Sequence, residues 1–154
     1  PKPSSAASDV YKRQRPGCPN LIERIEGGLL SYGNDMNMND TPFECGLDPF
    51  VSFNENVNYL GKSTLQEQKE KGVTRSLVGL KLQIDKISLS KTISIFQNEQ
   101  LIGDLRSACF SPKFQCCLGI AMIDTAYQNH SAPLNLMIDG QEIIAEMTSI
   151  PFTK

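Results

Sequence analysis

The chain contains few of the residues from which metal sites and nucleophilic centres are built. Its 154 residues include one histidine, His130, so a histidine-rich metal site is excluded. Polar neighbours typical of turns place His130 in a predicted loop. The five cysteines include no C-x-x-C pair, which argues against a zinc site or a disulfide framework. We therefore expect no bound metal, and reduced, partly buried thiols.

Long apolar runs and a strong charge of one sign are also missing. No run approaches the roughly 18 residues of a membrane-spanning helix, and no signal-peptide pattern is apparent. The 15 basic and 17 acidic residues give a net charge of −2 and a pI near 5.4. Nucleic-acid-binding domains typically have a pI above about 9. The sequence therefore predicts a cytoplasmic protein that binds neither nucleic acid nor a membrane.

Residues 1–14 are expected to be a non-native tail. Residues 4–14, SSAASDVYKRQ, resemble the conceptual translation of a common transposase-based sequencing-library adapter read in frame. The alternative is an ordinary disordered tail of low hydrophobicity. Because of this resemblance, we expect the native sequence to start near Arg15 and the chain to be a fragment of a longer protein.

Local signals predict two short helices before residue 72. Asn20 can cap a helical turn that runs to Glu26 and ends at Gly27. On that turn, one face would carry the apolar residues Leu21, Ile22 and Ile25. A capping box formed by Ser63 and Gln66 predicts a second helix, over about residues 63–71 and closed by Gly72. Between the helices, residues 35–41 predict a loop and residues 43–53 predict short extended pieces.

After residue 72 the hydrophobic period changes from 3.6 to 2. An Asp139-Gly140 pair between apolar runs predicts a hairpin. Short strands at roughly ten-residue spacing predict a small antiparallel barrel or sandwich. The chain is thus predicted to be mostly β, with a short α/β segment before it. The predicted strands lie at residues 80–84, 93–95, 101–108, 116–123, 134–138 and 143–145.

Several motifs in one order resemble the glycine cleavage T-protein family. R-I-E-G-G-L at 24–29, Y-G-N-D at 32–35, T-P-F-E at 41–44 and G-L at 46–47 match the family pattern R-x-E-x-G-L, Y-G-x-D, T-P-x-E and G-L. No single motif is decisive, but their order is specific. Later landmarks of the same family match Gly61-Lys62, Val78-Gly79-Leu80, Ser107, Ser111-Pro112 and Pro151-Phe152.

The resemblance implies a ring of three domains with folate threaded through its centre. Residues 15–72 would be the end of the folate-binding domain, and residues 73–154 a C-terminal antiparallel barrel with Greek-key-like connections. The first domain and most of the substrate-facing surface would belong to a missing N-terminal part of the same protein. A small-molecule substrate and folate are the implied partners.

Within the family, two strings are most similar to the branch that demethylates dimethylsulfoniopropionate. They are residues 25–35 and residues 106–112, where Arg106-Ser107-Ala108 stands in place of the T-S-G usual in the glycine cleavage proteins. This resemblance implies methyl transfer from a sulfonium to tetrahydrofolate, giving methylthiopropionate and 5-methyltetrahydrofolate. Because the leaving group is a neutral thioether, the step depends on alignment, and we expect no catalytic residue in this chain.

Other functions stay open. One is the aminomethyltransferase of glycine cleavage. Another is a non-catalytic folate-binding relative, although its K-G-C-Y-x-G-Q-E motif is absent. A third is the tail of a flavin-linked methylglycine dehydrogenase, which would need an upstream dinucleotide-binding domain. The isolated chain is predicted to be inactive, to bind no folate and to expose apolar patches.

The resemblance suggests three folate-binding residues, Arg24, Glu26 and Tyr32. Glu26 could accept hydrogen bonds from a pterin ring N–H and amine; the alternative is a local cap or a pair with Arg24. Arg24 could bind a folate carboxylate or orient Glu26; the alternative is an exposed helix charge. Tyr32 could stack on a folate ring; the alternative is core or turn packing.

One arginine and three cysteines in or beside the third and fourth predicted strands are further candidates. Arg106 could contact an anionic substrate or the folate tail, the alternative being an outward-facing strand arginine. Cysteines in this region invite a nucleophile hypothesis, but no base lies near them in sequence. They are Cys109, Cys116 and Cys117.

Overall fold

A computed structural model describes residues 20–128 and 133–152. The predicted tail at 1–14 and the predicted loop at His130 lie outside these residues. Among the helices described, none has the length and apolarity needed to cross a membrane. The elements are α1 (Leu21–Glu26), α2 (Lys62–Lys71), two 3-10 turns (Asp48–Phe50 and Thr125–Tyr127) and the strands β1 (Arg75–Leu82), β2 (Ile93–Gln97), β3 (Gln100–Ser111), β4 (Cys116–Asp124), β5 (Leu134–Ile138) and β6 (Gln141–Thr148).

The strands form a closed antiparallel barrel in the order β1-β4-β3-β2-β5-β6. The barrel form of the prediction is thus confirmed over the sandwich. The predicted Asp139-Gly140 turn joins β5 to β6, and both of its residues have positive φ, 49° and 79°. This backbone matches the twist of a two-residue hairpin. A second such turn, Asn98-Glu99 between β2 and β3, was not predicted.

Alternating apolar side chains fill the barrel interior, as the period of 2 predicts. On β1 these are Leu80 and Leu82, both fully buried, while Ile84 lies beyond the strand and packs against the core edge. The other fully buried interior residues include Ile95, Leu105, Ala121, Ile123, Leu134, Leu136 and Ala145.

Strand β4 is buried on both faces, because the segment before the barrel covers its outside. Cys117 and Ala121 belong to the interior cluster, whereas Leu118 and Ile120 belong to a second cluster on the outer face. Ile25 of α1 is part of that outer cluster. At the other end of the chain, Phe152 packs into the same cluster and donates its backbone N–H to the Glu26 carbonyl at 3.1 Å.

Helix α1 is capped as predicted. The Asn20 side chain accepts the Glu23 N–H at 2.9 Å, and the Glu23 carboxylate accepts the Asn20 N–H at 3.3 Å, completing a capping box. Gly27 is the C-cap. The apolar face is narrower than predicted, because Ile25 is fully buried but Leu21 is 52% exposed.

Two local predictions were wrong. Helix α2 begins at Lys62, after Gly61 at φ 85°, so Ser63 lies inside the first turn and no side chain caps the helix. Its end at Gly72 is confirmed. Residues 43–50 form turns and the 3-10 helix Asp48–Phe50 rather than extended pieces, and the backbone becomes extended after them, at Val51. Pro49 favours this tight helical turn because its φ is already fixed near the helical value.

Candidate functional site

Residues 20–74, which precede β1 and which we call the first segment, bring charged side chains to β1 and β3 on the outside of the barrel. We call this set the polar junction: Arg24, Asp35, Asp40, Glu44, Arg75, Arg106 and Ser107. Its most distant members, Arg24 and Ser107, are 83 positions apart in the sequence, so only folding brings them together, and several members are largely buried. Such groups need partners, because an unpaired buried charge is strongly destabilising.

A β-bulge in β3 creates one side of the junction. Leu105 pairs with Ala121 and Ser107 pairs with Ile120, which leaves Arg106 as the extra residue. Leu105 belongs to the interior cluster, while Arg106 and Ser107 both bond to the first segment. Bulges commonly re-aim a side chain in this way. A regular strand would have alternated these two neighbours between opposite faces.

Arg106 is held by carboxylates of two segments. Its Nη1 and Nη2 donate to the two oxygens of Asp40 at 2.7 and 3.2 Å, and its Nε donates to Asp104 at 2.8 Å. Nη1 also donates to the Asp35 carbonyl at 2.8 Å. Arg106 faces outward from the barrel, as the alternative had it, but its side chain is only 6% exposed because the residues before β1 cover it. Contact with an anionic substrate or folate tail stays a prediction, and these bonds favour a positioning role.

Arg75 extends the same ionic network. Its Nε donates to Glu44 at 2.7 Å, and one of its terminal nitrogens lies 3.1 Å from Asp40. Burial alone would raise the pKa of Asp40, but hydrogen bonds and charge from Arg106 and Arg75 outweigh it, so this pKa lies below its ordinary value. Burial opposes the same effect at Glu44, whose pKa is lowered by Arg75 and Thr41.

Asp35 is the fully buried centre of the other half of the junction. One carboxylate oxygen accepts the Ser31 N–H at 2.7 Å and a bond from Arg24; the other accepts a bond from the Ser107 hydroxyl. Arg24 also donates to the Leu29 carbonyl at 3.1 Å, and its side chain is 14% exposed. The alternative of an exposed helix charge at Arg24 is therefore wrong.

Glu26 and Tyr32 lie in different surroundings. Half-buried Glu26 accepts a hydrogen bond from the Ser111 hydroxyl, whereas the bonds described for Arg24 go to Asp35 and Leu29. Tyr32 is 63% exposed on a turn that closes through a backbone bridge with Met36. Its position is thus on an exposed turn and not in the core.

The structure brings two of the four predicted site residues into one network. Arg24 and Arg106 both bond to Asp35, Arg24 to its carboxylate and Arg106 to its carbonyl. Glu26 bonds instead to Ser111 at the end of β3, and Tyr32 lies on an exposed turn. Sequence reasoning gave no role to Asp35, Asp40, Arg75 or Ser107. Asp35 is the last residue of the Y-G-N-D motif and Ser107 is itself a family landmark, so the motifs already indicated that these two positions matter.

An apolar groove lies beside the turn that carries Tyr32. Its volume is about 650 Å³, within the roughly 300–1,000 Å³ of ligand pockets. It lies between the first segment and the residues that follow β6. The lining includes Leu29, Met36, Leu47, Phe50, Leu77 and Ile150.

Three buried cysteines, Cys45, Cys109 and Cys117, are poor nucleophiles at neutral pH. Burial raises the pKa of Cys117 to about 11, and it also raises the pKa of Cys45 and Cys109. A thiol needs a lowered pKa to be a reactive thiolate. In residues 20–128 and 133–152, no three His, Cys, Asp or Glu side chains are grouped so that they could hold a metal ion.

The fold and the junction define a class: an antiparallel β-barrel domain with a helix-and-loop segment packed on its outer face. Residues 75–154 match the family model described as the glycine cleavage T-protein C-terminal barrel domain. The chain belongs to the glycine cleavage T-protein family, as its motifs predicted.

The chain is similar to two kinds of protein. The chain is 40% identical over 119 residues to dimethylsulfoniopropionate demethylase DmdA of Ruegeria pomeroyi, covering 77% of this chain and 31% of that protein. It is 34% identical over 131 residues to an aminomethyltransferase of Listeria welshimeri, covering 85% and 36%. The glycine cleavage system aminomethyltransferase T of Bartonella henselae has a similar structure, with a TM-score of 0.77, 28% identity and coverage of 86% and 37%. The chain thus spans about a third of the length of these proteins.

Proposed function

We propose that the complete protein carrying this chain is a tetrahydrofolate-dependent enzyme that demethylates dimethylsulfoniopropionate. The observation that carries the proposal is the 40% identity to the Ruegeria pomeroyi demethylase. Arg106 stands where the glycine cleavage proteins usually have the threonine of T-S-G, and here it has a bidentate partner in Asp40.

The second candidate is an aminomethyltransferase of the glycine cleavage system. The similarity to the Listeria welshimeri and Bartonella henselae proteins favours it, since both matches cover more of the chain than the demethylase match does. In either case we propose that residues 15–72 end a folate-binding domain and residues 73–154 form the barrel domain.

For folate, we propose that Glu26 and Tyr32 make contact and that Arg24 acts through the turn. Glu26 has one carboxylate oxygen bonded to Ser111, and a pterin edge with two N–H donors suits the carboxylate. The exposed ring of Tyr32 can stack on a flat ligand. Arg24 is bonded to a carboxylate already, so its charge fixes the turn and is not free for the ligand.

The chemistry asked of these residues is alignment. When the donor is a sulfonium, the methyl carbon must lie in line between sulfur and the N5 atom of tetrahydrofolate. Positioning of two reactants can lower the activation barrier by up to about 7–11 kcal/mol. Glu26 and Tyr32 would hold the acceptor by its pterin edge and its ring face. The carbon–sulfur bond breaks as the carbon–N5 bond forms, the thioether leaves neutral, and the N5 proton is released to solvent. We propose that this chain supplies binding and orientation and no acid or base.

The test begins with the complete reading frame. The expressed protein is offered dimethylsulfoniopropionate and tetrahydrofolate, and methylthiopropionate and 5-methyltetrahydrofolate are measured. We expect both products, with a large loss in Glu26→Gln and none in the control Glu67→Gln, whose side chain is 63% exposed on α2. Aminomethyl transfer with the glycine cleavage carrier protein, and no methyl transfer, would establish the second candidate instead.

The isolated chain is a separate case. It carries only part of the proposed binding surface, so we expect no measurable tetrahydrofolate affinity and self-association through exposed apolar residues such as Phe50 and Met38, 84% and 88% exposed. Calorimetry and sedimentation measure both properties. Tight, stoichiometric binding by the chain alone would show that it is sufficient for folate recognition.

A further inference from the structure

We propose that Asp35 is a positioning residue, which fixes the turn of residues 31–36 so that Tyr32 is presented to a flat ligand in one orientation. The inference rests on the proposed folate function for the ligand's identity. The positioning itself follows from the contacts of Asp35, so it can be measured without any ligand.

Asp35 connects three parts of the chain beneath the turn. Through its carboxylate it accepts hydrogen bonds from Ser31, from Arg24 of the helix and from Ser107 of the β3 bulge. Its backbone N–H donates to the Ser31 carbonyl at 2.9 Å, and its carbonyl accepts from Arg106 at 2.8 Å. The side chain is fully buried. These bonds tie both ends of the turn to the barrel.

The residue on top of the turn is in the opposite situation. Tyr32 is 63% exposed, although the neighbouring Ser31 N–H is hydrogen-bonded to the buried Asp35 carboxylate. Gly33 adopts φ 90° and donates its N–H to the Met36 carbonyl at 2.8 Å, which closes the turn. An aromatic ring on a fixed backbone loses little freedom when it binds a ligand. Binding sites depend on this kind of support from buried neighbours.

A purely stabilising Asp35 would have the same contacts, so the test needs a readout at Tyr32. The chain contains no tryptophan, so Tyr32→Trp introduces a single fluorescent reporter on the turn. Ser107→Ala then removes one bond to Asp35 from β3, and Ser107→Thr restores the hydroxyl. Thr125→Val is the matched control, because it removes a hydroxyl that donates to the Thr74 carbonyl at 3.1 Å, away from the turn.

We expect Ser107→Ala to lower the nanosecond fluorescence anisotropy of the reporter in the 154-residue chain. Ser107→Thr should restore the anisotropy, and Thr125→Val should lower the melting temperature alone. In the complete enzyme with Tyr32 present, Ser107→Ala should raise the KM for tetrahydrofolate roughly three- to tenfold and change kcat less than about twofold.

The inference is overturned if Ser107→Ala melts earlier while the reporter keeps its parental anisotropy, because Asp35 then contributes only to stability. Should Ser107→Ala fail to fold, hydrogen exchange on the unsubstituted chain decides. Protection of the Gly33 amide, next to Tyr32 and bonded to the Met36 carbonyl and not to Asp35, comparable to that of barrel amides supports the positioning role, and exchange at the rate of an open loop refutes it. An enzyme that neither binds nor uses tetrahydrofolate would refute the proposed function and leave the anisotropy result standing.

Discussion

Removal of Arg106 tests how the first segment is held on the barrel. Arg106→Met keeps an unbranched apolar stem but removes the guanidinium that bonds Asp40, Asp104 and the Asp35 carbonyl. The Asp40 side chain, 1% exposed, would keep Arg75 at 3.1 Å as its remaining cation. Breaking a buried ion pair costs about 3–5 kcal/mol. Because Arg75 remains, we expect about 3 kcal/mol, the lower end of that range.

The assay is equilibrium unfolding by urea and by heat. A loss of about 3 kcal/mol should lower the melting temperature by roughly 6–12 °C for a chain of this size. The matched control is Lys71→Met on α2, which breaks an ion pair whose side chains are 71% and 63% exposed. Exposed pairs contribute at most about 0.2–1 kcal/mol, so the control should change little.

A double-mutant cycle separates the pair from its surroundings. Asp40→Asn and Arg106→Met together should cost less than the sum of the single changes, with a coupling of about 0.5–3 kcal/mol. The reasoning is refuted if Arg106→Met is no more destabilising than the Lys71 control. It is also refuted if the two changes simply add, because the bidentate contact would then contribute nothing of its own.

Three further results are expected. In the folded chain the pKa values of Asp40 and Glu44 lie below their ordinary values of 3.8 and 4.5. The stability that these carboxylates contribute is therefore present above the ordinary values and is lost as the pH falls through the lower, folded-state values. An acid titration of the unfolding free energy should show this loss, with a shallower slope in Asp40→Asn. Native-state alkylation at pH 7.5, followed by peptide mapping, should label half-buried Cys116 before buried Cys117, and equal labelling would contradict the burial. Gly103→Ala should lower the free energy of unfolding, measured in urea, by more than about 3 kcal/mol. The new Cβ would lie 2.1 Å from the backbone carbonyl oxygen of Met122, which cannot move aside. A loss below about 1 kcal/mol would contradict the close approach of β3 and β4.

Local chemistry determined most of the barrel. A strand alternates its faces at every residue, so apolar residues of period 2 mark a half-buried strand wherever they occur. The Asp139-Gly140 turn was predictable because both positions need positive φ, which those residues tolerate. The Asn20 cap was predictable for the same kind of reason, since its partners lie within one helical turn.

Local signals failed where the same residues were compatible with more than one helix start or more than one backbone conformation. Ser63 and Gln66 have the spacing of a capping box, but Gly61 in the left-handed region starts α2 earlier. The apolar composition of residues 43–53 suggested short extended pieces. Leu77 of β1 donates its N–H to the Glu44 carbonyl, but most of the other backbone hydrogen bonds described for this segment close local turns. Sequence patterns give propensities, and the neighbouring elements decide between them.

The sequence by itself determined the family, through motifs in a specific order, and it determined the strands that make the barrel. Only the tertiary structure decided what the charged motif residues do. Arg106 reaches Asp40, 66 positions away, because a bulge in β3 turns two consecutive side chains to one face. The resemblance suggested that Arg24 binds folate or orients Glu26, and only the structure shows that its guanidinium is paired with buried Asp35. A guanidinium pairs with whichever carboxylate packing brings near it, and no periodicity in the sequence records that proximity.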